Sequence, residues 1–177
     1  MAPTLYFDLA SPYAYLAAER AERVLGEPVD FQPVLAGAIF AMRGHGSWAH
    51  TPARDENVAE VERRAVAYGL PPVAWPPGWP GNSLHAMRVA VLARRAGRVR
   101  DFALAAFRRA FVDGDDLSDP AIVTEVAAAT GVAVAIDQSV KHELRAVTEA
   151  AYARGVIGVP CVEIGGVVRF GDDQLPT

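Results

Sequence analysis

The sequence contains a single cysteine among its 177 residues. One cysteine cannot form an intramolecular disulfide, so the chain is not a dithiol oxidoreductase that works through a Cys-x-x-Cys pair. Cys161 would have to act alone, as a monothiol, in any disulfide chemistry. Because it opens a predicted core strand, we expect Cys161 to be buried and unreactive. The lack of a cysteine framework also favours a reducing, cytoplasmic setting.

The sequence also lacks the features of membrane and nucleic-acid-binding proteins. No apolar run reaches the roughly 18–20 residues that a membrane span requires. The first residues show no basic start followed by a long apolar stretch, so we expect no signal peptide. The net charge of −4 provides no basic surface for nucleic acid. The four histidines show no metal-ligand spacing, so no metal site is predicted.

Apolar residues are abundant, at 51% of the chain, which suffices for the core of one compact domain or of a small domain with an insertion. Residues 5–8 form a short apolar run that is typical of a buried strand. Ser11-Pro12 predicts a helix start and Gly26 a helix end. Residues 29–34 alternate like a second strand. Strand, helix and strand together predict a right-handed crossover and a parallel pair.

The end of the chain returns to strand patterns. Residues 161–164 and 167–170 flank Gly165-Gly166, which is a strong hairpin signal. Helical patterns and one Pro- and Trp-rich loop lie between the two strand regions. Helices are predicted over 55–68, 83–95, 101–112, 121–130 and 139–155, and the loop over 70–81.

These patterns predict an α/β fold, with one mixed sheet and an inserted all-helical subdomain. The predicted layout assigns residues 1–36 to the first part of the sheet domain, 37–150 to the helical subdomain and 151–177 to the second part of the sheet domain. Assembly of such a sheet would bring three candidate functional segments together.

The first two segments are Ser11 and Val159-Pro160. Unpaired amides at a helix N-terminus favour an anion, and a hydroxyl there can donate to a thiolate, so both lower the pKa of a thiol. The alternative for Ser11 is a simple N-cap. A proline at a strand start marks a special turn or a cis peptide, which exposes the Val159 backbone to an extended peptide-like ligand. The alternative is an ordinary strand-entry proline.

The third segment runs from Phe170 through Gly171 to Asp172 and Asp173. Two adjacent carboxylates behind a glycine can accept the ammonium group of a small ligand. They can equally form the acidic start of a final helix.

Five segments, taken in order, resemble the 2-hydroxychromene-2-carboxylate isomerases and kappa-class glutathione transferases. They are residues 7–17, 33–40, 82–88, 155–160 and 170–173. The similarity covers nearly the whole chain with compatible spacing. It implies a thioredoxin-like fold with a helical insertion, as in DsbA-type proteins, and a homodimer.

The same resemblance implies a glutathione site. Ser11 would hold the glutathione sulfur as thiolate, and Val159 would pair through its backbone with the cysteinyl part, beside a cis Pro160. Residues 170–173 would surround the γ-glutamyl end, with Asp173 as the partner of its ammonium. In the isomerases the thiolate adds to a conjugated substrate, a bond rotates and the thiolate leaves. A neutral hydroxyl without an evident base is a poor nucleophile, so we assign Ser11 the role of thiolate stabiliser.

Three positions depart from the family pattern. Ala41 and His45 stand where the isomerases typically carry a lysine and, four residues later, an asparagine, and Gln174 replaces the arginine of an Asp-Arg pair. The lysine would bind a substrate carboxylate, so its absence argues against the chromene substrate. Arg43 or Arg54 would be the substitutes, unless both are solvated surface residues.

The substrate-binding candidates come from several segments: Tyr13, Arg43, His45 and Asn82. Asn82 can instead cap the helix that follows it. Three tryptophans in loop regions either line an apolar pocket for an aromatic substrate or make core or dimer contacts: Trp48, Trp75 and Trp79.

The leading functional hypothesis is an isomerase of this type that uses glutathione on an aromatic or conjugated small molecule. One alternative is a kappa-like glutathione transferase or peroxidase. Another is a non-catalytic thioredoxin-fold protein that binds a thiol, which the changes at Ala41, His45 and Gln174 favour. A low-molecular-weight thiol other than glutathione is a further alternative.

Overall fold

The computed structural model describes residues 2–175. Its helices and strands are β1 Thr4–Phe7, α1 Pro12–Leu25, β2 Asp30–Pro33, α2 Ala36–Met42, α3 Arg54–Ala67, α4 Leu84–Arg95, α5 Val99–Phe111, α6 Pro120–Ala129, α7 Gln138–Ala153, β3 Cys161–Ile164 and β4 Val167–Phe170. Two 3₁₀ turns lie at Trp48–His50 and Asp172–Gln174. The strands form one mixed sheet in the order β2-β1-β3-β4, and the whole of α2 to α7 lies between β2 and β3. The predicted α/β class is confirmed, while the residue bounds of the three-part division stay a prediction.

The first strand–helix–strand unit follows from its local sequence. Ser11 caps α1, since its Oγ accepts a hydrogen bond from the Ala14 amide at 3.1 Å, and Pro12 occupies the first helical turn. Gly26 ends the helix with a φ of 70°, a left-handed conformation that favours glycine. β1 and β2 then pair in parallel, as predicted.

The predicted hairpin is also confirmed. Gly165 and Gly166 form its turn with φ values of 59° and 81°, and Ile164 pairs with Val167 across it. Positive φ at both turn residues matches the twist of the flanking strands. β3 pairs antiparallel with β1, so the hairpin lies beside the first strand of the chain.

Alternate residues of β1 pack into apolar clusters on opposite faces of the sheet. Leu5 and Phe7 are fully buried among residues of α1 and α5, where the Phe7 and Phe107 rings meet edge to face at 5.9 Å. Tyr6 and Cys161 join the other cluster, with residues of α2 and α7. Cys161 is buried, as predicted, and burial raises the pKa of its thiol.

Helix α4 is the centre of the helical region, since it packs against α5, α6 and α7. Arg94 near its C-terminal end joins it to the sheet. The guanidinium donates to both carboxylate oxygens of Asp30, at 2.7 and 2.8 Å, and to the Phe31 carbonyl at 2.6 Å. None of the helices within residues 2–175 has the length and apolar composition that crossing a membrane requires.

The structure adds one helix that the sequence pattern did not predict. α2 begins after Leu35, whose side chain cannot cap it. Asp8 supplies the missing acceptor, because its Oδ2 accepts a hydrogen bond from the Ala36 amide at 2.9 Å. The capping group therefore lies 28 positions upstream, and the local sequence carries no start signal. The five predicted helices are all present, with their ends shifted by at most two residues.

The hairpin turn provides a test of how far backbone conformation governs stability. Gly166→Ala is expected to lower the free energy of unfolding by about 1 kcal/mol, because alanine is strained at a φ of 81° although the added Cβ has open space. Gly37→Ala makes the same change in the first turn of α2, also in open space, and should be neutral or stabilising by up to about 0.5 kcal/mol. Urea unfolding followed by circular dichroism measures both. Equal effects at the two glycines would contradict this account.

Candidate active site

Ser11 lies where the two ends of the chain meet. Its hydroxyl accepts the hydrogen bond from Ala14 and donates to the Val159 carbonyl at 3.4 Å. Ser11 and Val159 are 148 positions apart, so the sheet brings the first two predicted segments into direct contact. The bond to Val159 is long, which leaves the hydroxyl able to turn towards a stronger acceptor while it still caps α1.

The turn at Val159 is held by the segment after β4. The Val159–Pro160 peptide is cis, and the Pro160 carbonyl accepts a hydrogen bond from the Gly171 amide at 2.9 Å. Gly158 lies directly against the Phe170 ring, since a Cβ on this glycine would be 2.8 Å from a ring carbon. No group within residues 2–175 accepts a hydrogen bond from the Val159 N–H. This N–H is therefore available to a ligand.

The two carboxylates of the third segment have different surroundings. Asp172 is 1% exposed and accepts hydrogen bonds from the Arg64 guanidinium at 2.6 Å and the Tyr68 hydroxyl at 2.9 Å. Burial raises the pKa of its carboxyl, while Tyr68 and Arg64 act in the opposite direction. Asp173 is exposed. Asp172 therefore anchors the segment to α3, whereas the exposed carboxylate of Asp173 accepts one long hydrogen bond, from the Gln174 side chain at 3.4 Å.

Two clefts adjoin at the contact between Ser11 and Val159. The first, of about 580 Å³, carries side chains of both charges, and we call it the charged cleft: Arg43, His45, Arg64, Asp172 and Asp173. The second, of about 370 Å³, we call the aromatic cleft: Asp8, Ser11, Trp48, Trp79, Asn82 and Ser83. Phe40, Trp48 and Val159 line both. Each volume falls in the range of roughly 300–1,000 Å³ that is usual for small-molecule sites.

Tryptophan rings form one wall of the aromatic cleft. Trp48 and Trp79 both line it, with ring centroids 5.3 Å apart. Trp75 packs on Trp79 at 4.8 Å and on Phe111 at 6.0 Å, so it supports the wall without lining the cleft. The Trp79 indole donates to the Ala10 carbonyl at 3.1 Å, which fastens the predicted loop beside the start of α1.

Asp8 is a site residue that the sequence analysis missed. It is 3% exposed and lines the aromatic cleft. Its carboxylate accepts hydrogen bonds from the Ala10 amide at 3.0 Å, the Ala36 amide at 2.9 Å and the Ser83 hydroxyl at 2.7 Å. Burial raises the pKa of this carboxyl, and the hydrogen bonds oppose the shift. The sequence did contain a signal for this role, since Asp8 lies at the end of an apolar strand. A carboxylate that is buried there requires hydrogen-bond donors.

The predicted substrate-binding residues divide between the two clefts. Tyr13, Arg43 and His45 line the charged cleft, and the Tyr13 hydroxyl donates to Asn57 at 2.8 Å. Asn82 lines the aromatic cleft instead.

Asn82 and Arg54 each serve the packing around the aromatic cleft. The Asn82 Oδ1 accepts a hydrogen bond from the Leu84 amide at 2.9 Å, which is a cap at the start of α4 and leaves the side-chain NH₂ group available as a donor. Arg54 lies over the Trp79 ring, 5.7 Å from its centroid, and lines neither cleft.

Comparison with known proteins supports the predicted resemblance. The profile of the DSBA-like thioredoxin domain matches residues 4–177. A 2-hydroxychromene-2-carboxylate isomerase of Sphingobium xenophagum is 27% identical over 182 residues, which cover 96% of this chain and 92% of the isomerase.

Solved structures show the same fold. A 2-hydroxychromene-2-carboxylate isomerase matches with a TM-score of 0.87 at 20% identity, over 99% of this chain and 91% of that one. The cytosolic disulfide reductase DsbM from Pseudomonas aeruginosa, determined with GSH, matches with a TM-score of 0.63 at 14% identity, over 96% and 88% of the two chains. The predicted thioredoxin-like fold of the DsbA type is confirmed.

The adjacent aspartates allow a test of the anchoring role. Asp172→Ala is expected to lower the free energy of unfolding by about 3 kcal/mol, because it removes the buried partner of Arg64 and Tyr68. Asp173→Ala changes the neighbouring, exposed carboxylate and should alter stability by less than about 0.5 kcal/mol. Urea unfolding of both variants measures the difference. A loss at Asp173 as large as that at Asp172 would show that the anchor is misassigned.

Proposed function

Because the chain belongs to the family of DSBA-like thioredoxin domains, we propose that it is a glutathione-dependent isomerase of the 2-hydroxychromene-2-carboxylate isomerase type. In this proposal, Ser11 stabilises a thiolate that acts on an aromatic or conjugated substrate. The observation that carries the proposal is the contact of Ser11 with Val159, at the junction of two ligand-sized clefts. The similarity to the Sphingobium isomerase, and to a fold neighbour determined with GSH, supports it.

The charged cleft fits a small peptide thiol such as glutathione. The unused N–H of Val159 would pair with the backbone of an extended ligand, beside the Ser11 hydroxyl. The open carboxylate of Asp173 would take the ligand's ammonium group. Arg43 is exposed in the same cleft, where its positive charge would compensate a carboxylate of such a ligand, whereas Arg64 is already paired with Glu60 and Asp172.

When bound, glutathione would supply a thiolate that adds reversibly to a conjugated double bond. Ser11 would stabilise it by turning its hydroxyl from Val159 to the sulfur. The first amides of α1 add partial positive charge at the same point, so the pKa of the ligand thiol falls. Cys161 is buried in the sheet and lines neither cleft, so nothing supports a monothiol role for it.

Two other functions would use the same residues. A kappa-like transferase or peroxidase would present the thiolate to a different electrophile. A non-catalytic thiol-binding protein is the candidate that the departures at Ala41, His45 and Gln174 favour. The proposed homodimer rests on the family resemblance alone. The proposed cytoplasmic setting rests on the single cysteine.

Calorimetric titration with glutathione tests the cofactor assignment. We expect a Kd between micromolar and millimolar, weakened about tenfold in Asp173→Asn, since a charge-assisted hydrogen bond is worth about 1.5–3 kcal/mol. Asp55→Asn makes the same change in a side chain that is 95% exposed and lines neither cleft, and should leave the Kd unchanged. Absence of binding, or equal Kd values for the wild type and Asp173→Asn, would refute the assignment.

The role of Ser11 is tested by the ionisation of bound glutathione, followed by thiolate absorbance at 240 nm against pH. The pKa of the bound thiol should lie below the free value of about 8.5 and rise by about one unit in Ser11→Ala, while Ser11→Thr, which keeps a hydroxyl, should resemble the wild type. The absorbance of the buried Cys161 thiol, whose pKa is raised, is measured in a glutathione-free sample and subtracted.

Loss of the helix cap in Ser11→Ala needs its own control. Asp119 caps α6 through a hydrogen bond from the Ala121 amide at 2.8 Å and is also followed by a proline, Pro120. Asp119→Ala should therefore lose stability of about 1 kcal/mol without moving the pKa of bound glutathione. The same pKa in Ser11→Ala and wild type would rule out the thiolate role.

A further inference from the structure

The two clefts differ sharply in the charges of their lining residues. The charged cleft contains two arginines and two aspartates. None of the described residues that line the aromatic cleft is a lysine or an arginine, and its ionisable side chains are Asp8 and His50. Asp8 is buried and already accepts three hydrogen bonds, whereas His50 is exposed. A ligand carboxylate there would thus find no lysine or arginine among the described lining residues to pair with, and would meet only Asp8, His50 and the partial positive charge at the start of α1.

The polar groups of the aromatic cleft suit an uncharged ligand. Asn82 has an NH₂ group to donate, because only its Oδ1 is used by the Leu84 amide. A neutral carbonyl or hydroxyl oxygen can accept from this group without the desolvation cost of an ion. The Trp48 ring offers apolar surface in the same cleft, and the buried Trp79 packs against it with ring centroids 5.3 Å apart.

We infer that the aromatic cleft binds an uncharged aromatic compound that carries a carbonyl or hydroxyl group, and that it rejects aromatic carboxylates. This inference rests on the proposed function, because the ligand is the conjugated partner of the thiol held at Ser11. It narrows that function, since the substrate then differs in charge from a chromene carboxylate.

A pair of ligands that differ in charge but share one ring system tests the inference. 2-Acetylnaphthalene is neutral, and 2-naphthoate is ionised at neutral pH. Equilibrium dialysis of the whole protein at pH 7.5, with and without saturating glutathione, gives both Kd values. We expect the ketone to bind at least tenfold more tightly than the carboxylate. Equal or tighter binding of 2-naphthoate, or no binding of either ligand up to its solubility limit, would overturn the inference.

Ala38 provides a way to locate the ligand, since it is half-buried on α2 and lines the aromatic cleft. Ala38→Lys adds the missing cation and should strengthen 2-naphthoate binding at least tenfold relative to Ala38→Met, which adds comparable apolar bulk without charge. If the two variants bind 2-naphthoate equally well, the ligand lies elsewhere and the inference is wrong. Circular dichroism confirms that both variants fold.

The glutathione titration separates this inference from the proposed function. Binding of glutathione that depends on Asp173, together with a preference for 2-naphthoate, would leave the thiol site standing and overturn the neutral-ligand inference. A preference for the ketone without any glutathione binding would support the neutral cleft and overturn the thiol chemistry. Because glutathione and the naphthalene ligands would bind in different clefts, the result of one measurement does not fix the result of the other.

Discussion

The carboxylate of Asp8 joins three parts of the chain that must meet for the site to exist. It receives hydrogen bonds from the Ala10 amide before α1, the Ala36 amide at the start of α2 and the Ser83 hydroxyl before α4. A carboxylate at 3% exposure is costly to bury unless donors surround it, so the three segments and the carboxylate require one another. The aromatic cleft lies between these segments, and its shape therefore depends on one buried carboxyl group.

A second buried carboxyl group, that of Asp172, holds the charged cleft together in a similar way. Asp172, with Arg64 and Tyr68, fastens the segment after β4 to α3. That segment in turn supports the turn at Val159, through the Gly171–Pro160 hydrogen bond and the Phe170 ring against Gly158. The neighbouring Asp173 is exposed. One aspartate of the pair is used for stability, and the other remains available for binding.

The fold neighbours include a disulfide reductase, whereas this chain has a serine at the start of α1 and one buried cysteine. A helix N-terminus that stabilises a thiolate is as useful for a thiol supplied by a ligand as for one supplied by the protein. In the proposed function, the charged cleft would supply ion partners for the peptide thiol, and the aromatic cleft would supply an apolar surface for a conjugated ring.

Short-range patterns in the sequence were sufficient to predict the start of α1 at Ser11-Pro12, the two-glycine hairpin turn and five of the helices, because each depends on neighbouring residues alone. Helix α2, the role of Asp8 and the different surroundings of Asp172 and Asp173 were decided by the tertiary structure. Their partners lie far away in sequence: Asp8 and Ala36 are 28 positions apart, and Asp172 and Arg64 are 108 apart. Burial and hydrogen bonding over such distances exist only once the sheet and helices have packed, so no local pattern contains them.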